Sequence, residues 1–373
     1  MSGDGGVRTA LGLMSGTSMD GIDVGLIRTD GERIVSRGPS LTVAYAPELR
    51  KLLSRGIADA ASLADRDARP GVLAELERRI TEAHSDAVAT YFGRAKLSAD
   101  DIDIIGFHGQ TVLHKPEAQL TVQLGDGDAL ARATGCRVAH DLRANDVALG
   151  GQGAPLASAY HAAMVADIEP RPIAILNIGG VANITWVGPL ADELIAFDTG
   201  PGNAYLDDWM AKTVGASRDE GGAAAKAGTP DMRVVSFFLN DGYFAMQPPK
   251  SLDRNAFYWD MITGLSVEDG AATLVAMSVG AVERGLELLP SMPERVYVSG
   301  GGRHNVAMMD GLATALGCVV EPVDAIGFDG DAVEAEAWAF LAVRSDLGLP
   351  ITFPGTTGVA NPATGGRITQ PNS

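Results

Sequence analysis

The chain has 373 residues, of which 46% are hydrophobic and 20% are charged, as in ordinary globular proteins. This length predicts two domains of similar size. The formal net charge of −18 argues against nucleic acid or an anionic membrane as a partner, because both need a basic surface. It does not exclude a nucleotide, which a local site can bind through backbone amides and magnesium.

The cysteine count and the distribution of apolar residues bear on location. Cys136 and Cys318 are too few for a disulfide framework or a zinc cluster, which favours a reducing compartment. The first ten residues lack the apolar core of a signal peptide, and no later run approaches the ~20 apolar residues of a membrane span. We therefore expect a cytoplasmic protein.

The first predicted element is a β-hairpin over residues 11–27, because an apolar run and an alternating run flank a polar turn over 15–21. This turn combines glycines, hydroxyl groups and a carboxylate, namely Gly16, Thr17, Ser18, Asp20 and Gly21. Glycines let a ligand approach backbone N–H groups that bind phosphate, and a carboxylate beside a phosphate needs a metal ion. The residues alone fit both a decorated surface hairpin and a phosphate-binding loop.

A strand is predicted at 33–36, followed by an amphipathic helix at 72–88 on which His84 is expected to be solvated. A buried strand over 102–107 then ends directly in His108 and Gln110. Because α/β proteins place sites where buried strands end, these two polar residues are site candidates.

Residues 123–161 are rich in polar side chains among glycines. Asp126 and Asp128 are interpreted as helix-starting residues, since a helix begins near 129. Arg143 lies just past a strand and near a glycine-rich stretch at 150–153. An arginine in that place is suited to bind an anion or a sugar substituent.

The second half opens with a strand-turn-strand unit over 173–187, which repeats the outline of the first hairpin and indicates an internal duplication. A strand at 195–197 then leads into a glycine-rich turn headed by Asp198, before a helix at 204–210. Asp198 fits an Asx-turn or N-cap residue, and the turn with the helix N-terminus also fits an anion site.

The last third contains a buried helix at 268–289 and a strand at 295–298 that runs into three glycines, 300–302. Three glycines after a buried strand indicate that something flat, such as a nucleoside, lies on the backbone. A final helix at 331–347 carries Glu334 and Glu336 near its N-terminus. The helix dipole stabilises a carboxylate there, so either residue fits a purely structural role. The tail is predicted to lie on the first domain.

Common catalytic motifs are absent: the sequence has no P-loop, no GxGxxG fingerprint, no GxSxG elbow and no HExxH helix. Glycine turns remain at Gly16, Gly200 and Gly300, each after a predicted strand. A two-domain α/β chain with such turns in both halves is typical of a protein that holds a nucleotide between its lobes.

Six stretches resemble, in order and over nearly the whole chain, the 1,6-anhydro-N-acetylmuramic acid kinases: GLMSGTSMDGIDV, GFHGQTVLHKP, ALGGQGAPL, LNIGGVANIT, FDTGPGNAYLDDW and VSGGGRHN. The resemblance implies the two-lobed α/β fold of the actin, Hsp70 and sugar-kinase superfamily, which is ribonuclease H-like, with an interdomain cleft for ATP and substrate. We place an N-terminal lobe at 1–142, with the tail 350–373 packed on it, and a C-terminal lobe at 143–349. The resemblance also implies ATP, Mg²⁺, a homodimer and a small anhydro-sugar substrate from peptidoglycan turnover.

In this family water opens the 1,6-anhydro bridge and O6 receives the γ-phosphoryl group. By resemblance, Asp198 is the general base, and Asp20 is the candidate Mg²⁺ ligand. The residues that match the family's ATP-binding positions are Gly16, Thr17, Ser18, Met19, Asp20, Gly21, Ile22, Asp23, Gly200, Gly202, Gly300, Gly301 and Gly302. The residues assigned to the sugar pocket are His108, Gln110, Arg143 and Glu334.

This chain departs from the family pattern at Ala144 and Asn145, where arginines are usual, and in the stretch 250–255, which reads KSLDRN where the family has KSTGRE. Glu336 stands at a usually apolar position and is interpreted as a local surface change. The departures bear on the identity of the sugar and leave a kinase for another 1,6-anhydro sugar, such as levoglucosan, as an alternative. A second alternative is a non-catalytic ATP-binding regulator on the same fold, against which the retained Asp198 and first loop speak.

Overall fold

A computed structural model of the chain describes residues 6–16, 19–190, 193–254, 256–258 and 260–372. Its internal contacts divide the chain into two compact units, which we call unit 1 (Met1–Ala166 with Ala332–Ser373) and unit 2 (Asp167–Asp331). This division differs from the predicted boundaries, because residues 143–166 and 332–349 belong to unit 1. Within the described ranges, no helix is both long and apolar enough to cross a bilayer.

The strands are, in chain order, β1 (Arg8–Ser15), β2 (Gly21–Thr29), β3 (Ile34–Ala44), β4 (Ile104–Lys115), β5 (Leu120–Leu124), β6 (Val138–His140), β7 (Ile173–Ile178), β8 (Val181–Val187), β9 (Leu194–Pro201), β10 (Arg295–Ser299), β11 (Val319–Pro322) and β12 (Arg367–Thr369). The sheet of unit 1 has the order β12-β6-β4-β1-β2-β3, and β5 pairs with β4. The sheet of unit 2 has the order β11-β10-β7-β8-β9.

The two sheets repeat one topology. In unit 1 a hairpin, β1–β2, continues antiparallel into β3, while β4 joins β1 in parallel and β6 joins β4 in parallel. In unit 2 the hairpin β7–β8 continues antiparallel into β9, while β10 and β11 add in parallel on the other side. This correspondence supports the internal duplication predicted from the sequence.

The α-helices are, in chain order, α1 (Pro47–Ala60), α2 (Leu73–Ala95), α3 (Gly127–Thr134), α4 (Ala144–Ala148), α5 (Ser158–Met164), α6 (Ala204–Val214), α7 (Ala223–Ala227), α8 (Met232–Leu239), α9 (Val267–Leu286), α10 (Val306–Ala315), α11 (Val333–Asp346) and α12 (Pro354–Thr357). The capping interpretation holds for Asp126, whose carboxylate accepts the N–H of Ala129 at the start of α3. Asp128 lies in the first turn of the same helix.

A row of glycines explains why α11 belongs to unit 1. Gly25, Gly12 and Gly106 lie side by side on β2, β1 and β4, respectively, because Gly12 pairs with both of the others. A Cβ on Gly12 or Gly106 would overlap backbone atoms of α11, and a Cβ on Gly25 would lie 3.0 Å from the Glu336 nitrogen. The row therefore lets α11 rest directly on the sheet, and the helix covers β1, β2 and β4.

Two expectations about exposure are wrong. His84 is fully buried on α2, where its Nδ1 lies 2.8 Å from the Ile80 carbonyl and its ring packs edge-on against Phe107. Glu336 is also buried, because α11 lies flat on the glycine row, and its carboxylate accepts the Tyr160 hydroxyl at 2.5 Å. Periodicity identified the helices but could not show which further element covers them.

Candidate active site

The loop that follows β1 in unit 1 is the predicted phosphate loop. Thr17 and Ser18 lie outside the described residues. On either side of them, the Met19 N–H donates to the Gly16 carbonyl at 3.3 Å, and the Asp20 carbonyl accepts the Tyr45 N–H at 2.9 Å. Asp20 is an exposed residue beside the loop.

The other residues matched to the loop lie on β2. A Cβ on Gly21 would come within 2.5 Å of the Val43 carbonyl, so this glycine allows β3 to pack closely. Ile22 and Tyr45 both line a cavity of about 540 Å³ in unit 1. Asp23 is half-buried, and the Thr42 hydroxyl donates to its carboxylate at 2.6 Å.

A buried hydrogen-bond network holds the beginning of this loop. The Ser15 hydroxyl lies 2.5 Å from the Gln110 side-chain oxygen and 2.7 Å from the Tyr45 hydroxyl. The Gln110 amide nitrogen in turn donates to the Gly16 carbonyl at 3.2 Å. Burial raises the pKa of Tyr45, so its hydroxyl stays protonated. Gln110 thus supports the loop backbone, together with Ser15 and Tyr45, neither of which stood out in the sequence.

His108 and Arg143 form a second cluster in unit 1. His108 is 5% exposed, and burial, reinforced by the Arg143 charge, holds its pKa well below the usual range. The neutral ring donates from Nδ1 to the Ser15 carbonyl at 3.0 Å, which leaves Nε2 to accept from Arg143 at 3.2 and 3.3 Å. Arg143 also donates to the Gly153 carbonyl at 2.8 Å and lies 5.1 Å from the centre of the Trp338 ring. His108 therefore orients the guanidinium of Arg143.

The strand that carries His108 and Gln110 is longer than predicted. β4 does not end at Phe107 but continues to Lys115, because Gln110 pairs with Ser15 on one side and with Leu124 on the other. Both side chains are buried inside the sheet region instead of lying in a loop after it. Glu334, in the first turn of α11, is half-buried.

In unit 2, Asp198 lies within β9 and not in the turn after it. The strand continues to Pro201 because a bulge shifts the β8–β9 register, so that Asn183 opposes Asp198 while Ala182 opposes Gly200. Asp198 is 7% exposed, and the Leu252 N–H donates to its Oδ2 at 2.7 Å. The structure thus presents a carboxylate that is nearly buried and held in one orientation.

The glycines near Asp198 are explained by packing inside unit 2. A Cβ on Gly200 would lie 2.6 Å from the Ala281 side chain, and one on Gly202 would overlap the Gly179 carbonyl. The Gly202 N–H also donates to the Gly180 carbonyl at 2.9 Å. These two positions therefore need glycine whether or not a ligand lies beside them.

The three glycines after β10 differ from one another. Gly300 has a φ of +75°, and a Cβ on it would lie 2.6 Å from the Asn177 side-chain oxygen. A Cβ on Gly302 would overlap the Ile178 side chain. Gly301 is exposed, and the nearest atom to its Cβ position is an Asn203 side-chain nitrogen at 3.7 Å. Of the three, Gly301 is the one that leaves room for a flat ligand.

Arg303 braces this turn and was not noticed in the sequence. Its side chain is 5% exposed and donates to the Gly300 carbonyl at 3.1 Å. It also pairs with Asp331 at 2.6 Å and with Asp324 at 3.0 Å. Through these two ion pairs and the hydrogen bond to Gly300, Arg303 connects the glycine turn to the residues that precede α11.

The described residues, which leave out Thr17 and Ser18, contain no cluster of three or more His, Cys, Asp or Glu side chains that could hold a metal ion. Magnesium does not require such a cluster, because it takes one or two carboxylates and fills its other positions with water and phosphate oxygens. Asp20, an exposed residue beside the loop, offers one carboxylate of that donor set.

Comparisons with known proteins agree with the resemblance. A family profile described as anhydro-N-acetylmuramic acid kinase matches residues 8–371. The chain is 50% identical over 365 residues to the anhydro-N-acetylmuramic acid kinase of Nitrobacter winogradskyi, covering 97% of this chain and 100% of that protein. It is 49% identical over 361 residues to the same-named protein of Rhodospirillum rubrum, covering 96% and 93%. The corresponding protein of Rhizobium etli is 47% identical over 369 residues, covering 98% and 99%.

The structure and these matches confirm two predictions made from the sequence. The first is the α/β fold class, which the two mixed sheets and their helices show. The second is the class of activity, a kinase. Since the profile spans nearly the whole described chain and the relatives are matched end to end, the chain belongs to the anhydro-N-acetylmuramic acid kinase family.

Proposed function

We propose that this chain uses ATP to convert 1,6-anhydro-N-acetylmuramic acid and water into N-acetylmuramic acid 6-phosphate and ADP, a step of peptidoglycan recycling. The observation that carries the proposal is the placement of Asp198. A nearly buried carboxylate, oriented by the Leu252 N–H, is what a general base for water needs. The family match identifies the substrate class on which such a base acts.

In the proposed reaction one proton is transferred, two bonds to the sugar and phosphorus atoms form, and two bonds break. Asp198 accepts a proton from a water molecule, and the water oxygen bonds to C1 of the sugar while the C1–O6 bond breaks. O6 is thereby released as the nucleophile that attacks the γ-phosphorus of ATP, and the bond to the ADP oxygen breaks. The base must be ionised and within hydrogen-bond reach of the water. Because the bridge oxygen leaves C1 as the nucleophile for phosphorus, ring opening and phosphorylation are linked through one atom.

The loop over residues 16–23 is proposed to bind the ATP phosphates through its backbone N–H groups. The network of Ser15, Tyr45 and Gln110 beneath it holds the loop in place before ATP arrives. A bound Mg²⁺, held by Asp20 and phosphate oxygens, would offset the phosphate charge. Gly301 offers the exposed backbone on which the nucleoside is proposed to lie, whereas Gly200, Gly202, Gly300 and Gly302 shape the turns.

Arg143 and Glu334 are proposed to contact the sugar. Two of the donors of Arg143 are directed at His108, and a third at Gly153, so its plane is set in advance. A pre-oriented guanidinium loses little freedom when it binds a carboxylate or hydroxyl of the substrate. His108 and Gln110 are proposed to act on the sugar pocket indirectly, through Arg143 and the loop.

The sugar specificity is the part of the proposal that departs from the family at specific residues. Ala144 is buried at the start of α4, and the exposed Asn145 donates to the Thr364 carbonyl at 2.6 Å, where the family usually has arginines. Loss of positive charge there favours a smaller, uncharged anhydro sugar such as levoglucosan as the second candidate substrate.

A substrate panel tests the proposal. The protein is incubated with ATP and Mg²⁺ and with either sugar, and both ADP and the sugar 6-phosphate are measured. We expect phosphorylation of the N-acetylated, lactyl-bearing sugar. Phosphorylation of levoglucosan alone would show that levoglucosan, and not the N-acetylated sugar, is the substrate. Tight ATP binding without turnover of either sugar would indicate that the protein is a non-catalytic regulator.

We further propose that the protein works as a cytoplasmic homodimer, which the family resemblance implies. The free thiols of Cys136 and Cys318 agree with a reducing compartment. Light scattering of the purified protein tests the dimer: a molar mass near twice 38.7 kDa is expected, and a mass of one chain at all concentrations would contradict it.

A further inference from the structure

A buried lysine lies behind Asp198 in unit 2. Lys250 is 4% exposed, and its ammonium group donates to the Tyr243 carbonyl at 2.9 Å. The same group lies 4.4 Å from the centre of the Tyr243 ring and 5.6 Å from that of Phe197. Lysine is almost never this buried without a specific partner, because its charge loses hydration.

The segment that carries this lysine is bonded to Asp198 at three points. The Asp198 N–H donates to the Lys250 carbonyl at 3.0 Å, and the Leu252 N–H donates to the Asp198 carboxylate at 2.7 Å. The Tyr243 hydroxyl donates to the Asp198 carbonyl at 2.6 Å. With the bond from the Lys250 ammonium to Tyr243, these contacts form a closed ring around the aspartate.

We propose that Lys250 is a positioning residue for Asp198: it anchors residues 250–252 against Tyr243, and its positive charge favours the ionised carboxylate. This inference rests on the proposed role of Asp198 as the general base. A base must be both ionised and directed at the water. The positive charge of Lys250 favours ionisation of the carboxylate, and the hydrogen-bonded ring holds its direction.

The charged and titratable groups around Lys250 agree with this role. Asp198 on β9 is the charged group that acts on the ammonium, and Tyr243, from the turn after α8, is the titratable group in contact with it. Burial lowers the pKa of Lys250 to about 8, and the attraction of Asp198 opposes that decrease. Burial likewise raises the pKa of Tyr243, so its hydroxyl remains a donor to Asp198.

The stretch around Lys250 also departs from the family pattern. Lys250, Ser251 and Arg254 agree with the usual KSTGRE, whereas Leu252, Asp253 and Asn255 replace threonine, glycine and glutamate. Leu252 contributes to the ring through its backbone N–H, which any residue other than proline supplies. Lys250, in contrast, contributes its side chain to the ring and agrees with the usual pattern.

The experiment compares Lys250→Met, Lys250→Arg and Tyr243→Phe with the wild-type protein over a range of pH. The control is Lys226→Met, which removes a lysine whose side chain is 64% exposed in the same unit. For each variant, kcat and KM for the anhydro sugar and KM for ATP are measured, and folding is checked by thermal melting and ATP binding.

Lys250→Met should lower kcat at least tenfold and move the acid limb of the kcat/KM profile to higher pH by about one unit, because the carboxylate loses its neighbouring charge. Lys250→Arg retains the charge, so its acid limb should stay at the wild-type position. Tyr243→Phe should lower kcat without moving the limb, since it removes one bond to Asp198 and no charge. Lys226→Met should match the wild type.

The inference is overturned if the acid limb of Lys250→Met coincides with that of the wild type, or if Met and Arg lower kcat equally without any shift. Should Lys250→Met fail to fold, the Arg and Phe variants still decide: a shifted limb in either contradicts the inference. Failure of the proposed base is a separate outcome, because Asp198→Asn would then turn over normally whatever Lys250 does.

Discussion

Replacement of Asp198 by asparagine isolates the charge and basicity of this residue. Asparagine has nearly the same shape, and its side-chain oxygen can still accept the Leu252 N–H that now bonds to the carboxylate at 2.7 Å. The backbone bonds of Asp198 to Lys250 and Tyr243 do not involve the side chain and remain possible. The variant should therefore fold and bind ATP as the wild type does.

The expected loss can be estimated from the assigned role. A positioned general base contributes about 10²- to 10⁴-fold in rate, which corresponds to about 3 to 5 kcal/mol of the activation free energy. We expect kcat of Asp198→Asn to fall by that factor, while the affinity for ATP is unchanged. The loss should appear with every anhydro sugar that the wild type accepts, because the proton is always taken from water.

The assay follows ADP release with a coupled spectrophotometric reaction, and the binding of a non-hydrolysable ATP analogue is measured by calorimetry. Asp219→Asn is the matched control, because Asp219 is also 7% exposed in unit 2 but uses its carboxylate to accept the N–H groups of Ala224 and Ala225. It should lower stability and leave kcat intact. A near-normal kcat in Asp198→Asn, or an equal loss in both variants, would refute the assignment of the base.

Three further predictions concern unit 1. Arg143→Lys should raise KM for the anhydro sugar about 10- to 100-fold, the equivalent of one lost charge-assisted hydrogen bond, and leave KM for ATP unchanged; an equal rise in both constants would contradict a role at the sugar. Gly12→Ala should destabilise the protein by about 2 kcal/mol or more in chemical denaturation, because the added Cβ would overlap α11. The control is Gly93→Ala on α2, which should be neutral or stabilising, because Gly93 is exposed and a Cβ there has nothing within 4 Å. Similar effects of the two changes would disprove the tight packing of α11 on the sheet. Burial lowers the pKa of His84 to about 4 from an unfolded value near 6.5, so the neutral ring contributes stability that is present above pH 6.5 and is lost as the pH falls toward 4. Between pH 7 and pH 4.5, the free energy of unfolding of the wild type should therefore fall by about 2.5 kcal/mol more than that of His84→Leu. Equal decreases would show that this histidine does not drive acid destabilisation.

The features that the sequence predicts well are those with local signals. The hairpin turns after β1 and β7 are predicted by glycines between apolar runs, and in the structure each turn lies between two paired strands. The similar outlines of the hairpins at 11–27 and 173–187 also predicted an internal duplication, which the repeated sheet topology supports. The helix α2 follows from its apolar spacing.

The features that the sequence misses depend on which segments pack together. The burial of His84 and Glu336 is set by elements distant in the chain, and periodicity of their own helices does not contain that information. The extension of β4 through Gln110 follows from two partner strands. The ring of Lys250, Tyr243 and Asp198 spans about fifty residues, and a lone lysine in a loop carries no signal of it.

The assignment of α11 to unit 1 has the same origin. Gly12, Gly25 and Gly106 look unrelated in the sequence and become one flat row only through strand register. The contact-based division therefore groups this helix with unit 1, whereas the boundaries proposed from the sequence place it in the C-terminal lobe.

Isotope labelling tests the central claim most directly. The protein is given ATP and 1,6-anhydro-N-acetylmuramic acid in ¹⁸O-labelled water, and the product is reduced with borohydride at once to stop exchange at C1. The mechanism predicts one ¹⁸O on C1 and none in the phosphoryl group, since water attacks the sugar and O6 attacks phosphorus. Label in the phosphoryl group, or a phosphorylated product without label on C1, would contradict it.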